Sequence, residues 1–147
     1  MTQVWKLAGN VDDGSVVAPG NILPTGQSLT FPRGGSGTFE ITVTTNAGIP
    51  VDLSTDPAFT LTLTVRASLT PLNPPTTIAL QKVVSGPWVA ASPTTPRNMV
   101  SIALAPGDTR LLNPQRYWYD IWLVFQGNRY QVAPASVIAL LPSVGLV

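Results

Sequence analysis

The chain contains no cysteine and no histidine. Without cysteine there are no disulfides and no thiolate metal ligands. Without histidine a Ser-His-Asp triad cannot be assembled, and the commonest general base near neutral pH is missing. Zinc would have to be held by carboxylates alone, which is not how its sites are built. Charge is scarce as well. Only 10% of residues are charged and the formal net charge is +1, whereas about 25% is usual in soluble domains. No strong field therefore directs the chain to nucleic acid, an anionic membrane or an acidic partner. Long apolar runs are also lacking. Val137-Ile138-Ala139-Leu140-Leu141 is bounded by Pro134 and Pro142, far short of the roughly 20 residues that cross a bilayer. The stretch from Met1 to Asp13 has no apolar core of a secretory signal, so the expectation is synthesis in a reducing cytoplasm.

What is present is alternation. Thr38-Phe39-Glu40-Ile41-Thr42-Val43-Thr44 and Phe59-Thr60-Leu61-Thr62-Leu63-Thr64-Val65-Arg66 place an apolar side chain at every second position. A strand sends successive side chains to opposite faces, so each segment has one apolar face and one polar face. Further strands are expected at Leu29 and Phe31, over 78–84, at Val100, Ile102 and Leu104, over 117–125 as the longest, over 129–132, and over 136–141. Asn46-Ala47-Gly48 reads as a hairpin turn and Gln126-Gly127-Asn128 as a turn that reverses the chain, because Asn and Gly tolerate positive φ. Asp52-Leu53-Ser54 reads as a bend with Asp52 accepting nearby backbone N–H groups. Residues 108–113 read as one helical turn capped by Asp108. The 15 prolines and 12 glycines fit many turns between short strands. The fold expected is all-β: one antiparallel β-sandwich, Ig-like or jelly-roll-like, over residues 26–147. Residues 1–25, broken by Gly9-Asn10, Asp12-Asp13-Gly14 and Pro19-Gly20, are expected to form an extended N-terminal arm or a loosely docked edge, with Val4-Trp5-Lys6-Leu7 as a candidate short strand.

The sequence supplies seven carboxylates: Asp12, Asp13, Glu40, Asp52, Asp56, Asp108 and Asp120. Most stand beside Gly, Pro, Ser or Thr, where a turn or cap role suffices. Arg33-Gly34-Gly35-Ser36-Gly37 lacks the Lys of a phosphate-binding loop and leads into a strand rather than a helix. No catalytic residue, metal ligand or cofactor site is expected. The tryptophans are the better candidates. Trp118 and Trp122 fall on the face of their strand opposite Tyr117, Tyr119, Ile121, Leu123 and Phe125. Trp88 lies in a Pro-rich loop and Trp5 in the arm. Tryptophan is enriched where proteins meet, so Trp5, Trp88, Trp118 and Trp122 are the candidate partner contacts. Base stacking is not favoured, because basic residues are not interleaved with them. Asp120 between Trp118 and Trp122 leaves a carbohydrate-binding module as a further alternative.

Two blocks of sequence resemble a known family. The first runs from Phe31-Pro32-Arg33-Gly34 through Phe39-Glu40-Ile41-Thr42-Val43 and Gly48-Ile49-Pro50-Val51-Asp52-Leu53-Ser54 to Thr60-Leu61-Thr62-Leu63-Thr64-Val65-Arg66. The second is Tyr117-Trp118-Tyr119-Asp120-Ile121-Trp122-Leu123 with Gly127 and Val132. Together they resemble the Ig-like β-sandwich domains of tailed-phage virion structural proteins, such as the N-terminal domain of baseplate upper proteins. The resemblance implies a non-enzymatic virion component made in the host bacterial cytoplasm. Its expected partners are other virion subunits, the major capsid protein first and tail proteins second. A capsid decoration or cement subunit acting as a homo-oligomer is the favoured role. A tail or baseplate component comes next.

Overall fold

The alternating segments are strands, and their apolar faces meet. The computed structural model describes residues 3–17, 19, 27–68 and 78–142. Residues 69–77 and much of the second half of the expected arm lie outside the described residues. Among the described residues eight strands follow in order: β1 (Gln3–Val11), β2 (Leu29–Pro32), β3 (Gly37–Thr45), β4 (Thr60–Arg66), β5 (Ile78–Ser85), β6 (Met99–Leu104), β7 (Arg116–Phe125) and β8 (Asn128–Leu141). They form a three-stranded sheet, β1-β3-β6, and a five-stranded sheet, β2-β8-β7-β4-β5. Phe39, Ile41 and Val43 of one sheet and Leu61, Leu63, Ile121 and Leu123 of the other are all fully buried between them. Each such side chain contributes about 1.5–3 kcal/mol relative to exposure.

The sandwich is all-β as expected, but its sheets are mixed. β1 pairs with β3 in parallel, and β2 pairs with β8 in parallel. The remaining ladders are antiparallel. The expected arm is extended over Gln3–Val11, and there it is docked as β1. Its side chains alternate out and in, with Trp5, Leu7 and Val11 buried. Apolar spacing in the strand is what seats it, because a free arm has no reason to alternate.

Several local expectations shift. Asn46-Ala47-Gly48 does turn the chain, with Gly48 at φ 80°. It does not join two paired strands. The chain forms a single bridge between Thr44 and Pro50, then crosses to the other sheet through a 3₁₀ turn at Leu53–Thr55. Leu61 and Leu63 sit beside Leu123 and Ile121 in the same sheet. Aromatic contacts across the sandwich include Phe39 on Tyr119, with centroids 5.8 Å apart, and Trp5 on Phe31. The helical turn is α1, Pro106–Thr109, two residues earlier than expected. Asp108 acts from its third position and accepts the Ala105 N–H at 2.7 Å, the reach-back half of a capping box. β8 spans 14 residues and is longer than β7 at 10. Pro134 does not end it, because the ladder to β7 is irregular around Tyr119 and Ile121 and a bulge spares one N–H.

Candidate functional site

Two surface regions gather the aromatic candidates. The first is the outer face of the five-stranded sheet. Register places Thr62 of β4 between Val83 of β5 and Trp122 of β7, and Thr64 between Gln81 and Asp120. β7 and β8 are joined by a tight turn in which Gln126 and Gly127 have φ of 50° and 79°, the double positive φ that suits a two-residue hairpin. That turn sets Arg129 opposite Val124, one diagonal step from Trp122. The Arg129 guanidinium lies over the Trp122 ring at 4.3 Å. On the other side the indole N–H of Trp122 donates to Asp120 Oδ2 at 3.1 Å. The ring is thus fixed by its own chain. Gln81 donates to Thr64 Oγ1 at 3.2 Å. These groups surround a concavity of about 410 Å³. Trp118 lies on the same face, half-buried, opposite Arg66 and Val137.

The second region is the side of the sandwich where β5 and β6 end their sheets. The loop after β5 folds back so that the Trp88 indole N–H donates to the Met99 carbonyl at 2.9 Å. This occupies an acceptor at the start of the edge strand β6. Beneath the loop is a concavity of about 200 Å³ lined by Phe59, Val84, Trp88, Val89, Met99 and Val100, among others. Val89 stands at its rim, 78% exposed.

The structure does not bring the four tryptophans together. Trp5 is a core residue, packed edge-on to Phe31 at 5.1 Å and against Phe39 at 4.8 Å, so its ring is not offered to a partner. Trp118 and Trp122 share one face and Trp88 belongs to another. Arg129 and Gln81 were absent from the sequence-derived candidates. The register of a hairpin closed at Gln126-Gly127 was the signal that could have found Arg129. Gln81 depends on the β4–β5 pairing, which alternation alone does not specify.

The carboxylates serve turns. Asp52 accepts the Ser54 N–H at 3.0 Å, as expected; the Ser54 hydroxyl above all, with its N–H and the Arg97 charge, holds the carboxyl below the usual range against the opposing effect of burial. Asp56 accepts the N–H groups of Gln126 at 2.7 Å and Ala58 at 2.9 Å, and these lower it likewise. Asp13 is lowered by the Ser15 hydroxyl and N–H. Asp12 accepts from Gly14 N–H and from Asn46. Burial pushes the Tyr119 hydroxyl up; it donates to the Gln27 carbonyl at 2.6 Å. Among the described residues no three of Asp and Glu gather into a metal-holding group.

These elements define a class: a two-sheet all-β sandwich with mixed pairing and two aromatic surface regions. No protein-family model matches the chain, and no curated protein matches it. Among solved structures it is similar to the N-terminal domain of phage TP901-1 ORF48, with a TM-score of 0.40 and 8% identity over 97% of this chain and 99% of that one.

Proposed function

We propose that the protein is a non-enzymatic structural subunit of a tailed-phage particle, seated on the shell as a decoration or cementing piece through its Trp88 side. The observation that carries this reading is the apolar concavity beneath Trp88 with exposed Val89 at its rim. Removing such side chains from water on docking is favourable by about 25 cal/mol per Å². The indole is already fixed by its bond to Met99, so little side-chain freedom is lost when a partner arrives. The low charge of the chain reduces the polar surface that a neighbour would have to strip of water. A stable seat of ordinary size buries about 1,600 Å². The two sequence blocks over 31–66 and 117–132 point to a virion as the setting. Repeated shell sites would then place copies side by side as a homo-oligomer. The turn roles of the carboxylates favour a protein that acts by packing.

The resemblance of those blocks to baseplate domains favours a second seat, on the tail. The experiment is incorporation into particles followed by cryo-EM. The wild-type chain is expected in stoichiometric amount with assembled particles, and its position separates shell from tail. Val89→Asp is expected to lower incorporation by at least about tenfold, a loss of roughly 1.4 kcal/mol, with its melting temperature retained. A wild-type chain absent from particles, or a Val89→Asp chain that incorporates normally, defeats the proposal.

A further inference from the structure

We infer that the concavity beside Trp122, on the outer face of the five-stranded sheet, is a saccharide-binding site. A pyranose offers one apolar C–H face and a rim of hydroxyls that both donate and accept. It needs an immobile aromatic wall with planar polar side chains around it. Trp122 supplies the wall. Its indole is held by Arg129 over one face, 4.3 Å from the ring centroid, and at its edge by Asp120, which accepts the N–H at 3.1 Å. A fixed ring loses no rotamer freedom on binding. Asp120 uses Oδ2 on the indole and has Oδ1 for a sugar hydroxyl. Gln81, tethered by its bond to Thr64, has its carbonyl and a second N–H for another. The Thr62 hydroxyl stands in register between Val83 and Trp122 and lines the same hollow. Its volume, about 410 Å³, is in the range of small-ligand sites of about 300–1,000 Å³.

A protein anchor fits this spot less well. The tryptophan that would insert into a partner is already committed on one face and at its N–H. The polar groups around it would each need a matched partner atom once buried. A sugar brings its own hydroxyls to them. Arg129 also borders a second, polar hollow with Asn10, Asp12, Asp13, Asn128 and Gln131.

The test uses the full chain on an array of defined neutral and acidic mono- to hexasaccharides, followed by calorimetric titration with whichever glycan binds. Saturable binding is expected. Trp122→Ala and Asp120→Asn should each weaken it by at least about tenfold. Gln81→Ala, on an edge strand where folding is least at risk, should weaken it several-fold. Val89→Asp at the other region should leave it unchanged, so a failure of the particle seat and a failure of this site are read separately. If no glycan on the array binds saturably, or if all three changes at the hollow leave binding intact in folded protein, the inference is wrong.

Discussion

At Gly37 a hydrogen atom occupies a place with no room for a methyl group. A Cβ there would lie 2.7 Å from the Trp5 ring and 3.0 Å from Phe31. The neighbours are aromatic rings already packed on one another, so they have little freedom to yield. Gly37→Ala is expected to destabilise by about 1–3 kcal/mol, read as a lowered midpoint in urea. Asp56 carries a different kind of dependence. Its carboxylate accepts two backbone N–H groups and its folded pKa is depressed from 3.8. Its contribution is therefore present above that value and fades as pH falls through the lower folded value. Acidification through the lowered Asp56 value should reduce the protection of the Gln126 amide, read as its exchange rate relative to the intrinsic rate at the same pH, and Asp56→Asn should show that reduced protection already at pH 7. An unchanged Gln126 amide in the variant would contradict this. Which residues point inward was legible from alternation: Phe39, Ile41, Leu61, Leu63, Tyr119 and Ile121 are all buried. The Asp52 turn was legible because it is closed within three residues. The burial of Trp5 was not, because it depends on Phe31 and Phe39, which reach it through pairings that no local pattern announces. The hollow beside Trp122 is equally non-local, assembled from β4, β5, β7 and β8.

Among the strands, β5 is an edge, and edges invite unwanted pairing. Its register with β4 puts Lys82 directly opposite Leu63, so the lysine points toward the core side. Its ammonium reaches out to Asp108 of α1 at 2.8 Å. An inward charge on an edge strand makes pairing with a further strand costly, because the new sheet would bury it. The ion pair itself is partly exposed, and Asp108→Asn should cost no more than about 1 kcal/mol. Lys82→Val should act differently. The fold should persist, while sedimentation shows concentration-dependent self-association that the wild type lacks at the same concentration. Strand existence and face were readable in the sequence; partner and direction were not. A parallel pair such as β1 with β3 leaves no turn signal, since the connection between them is long.

For the molecule as a whole, β8 is the central tie. It pairs with β7 along one side and β2 along the other, and Gly9 of β1 lies against its Val132. Removing residues 128–141 would leave β2 without a partner and open the core under β7. Such a chain is expected to lose its cooperative thermal transition and its near-ultraviolet circular dichroism. A truncated chain that still melts sharply would show that β8 is dispensable. Because β2 must wait for β8, folding should be slow for this size, in the millisecond-to-second range of non-local β topologies, as measured by stopped-flow tryptophan fluorescence.

Both parallel pairings have a geometric result. Gln3 donates its N–H to Ser36, and Leu141 accepts from Arg33; one short turn, Arg33 to Ser36, touches the entrance of the first strand and the exit of the last. Trp88 and Met99 lie at the opposite pole, where β6 begins and β5 ends. A fluorescent protein or affinity tag joined before Gln3 or after Leu141 would hang from the same end like a plug on a lead, and leave the Trp88 pole uncovered.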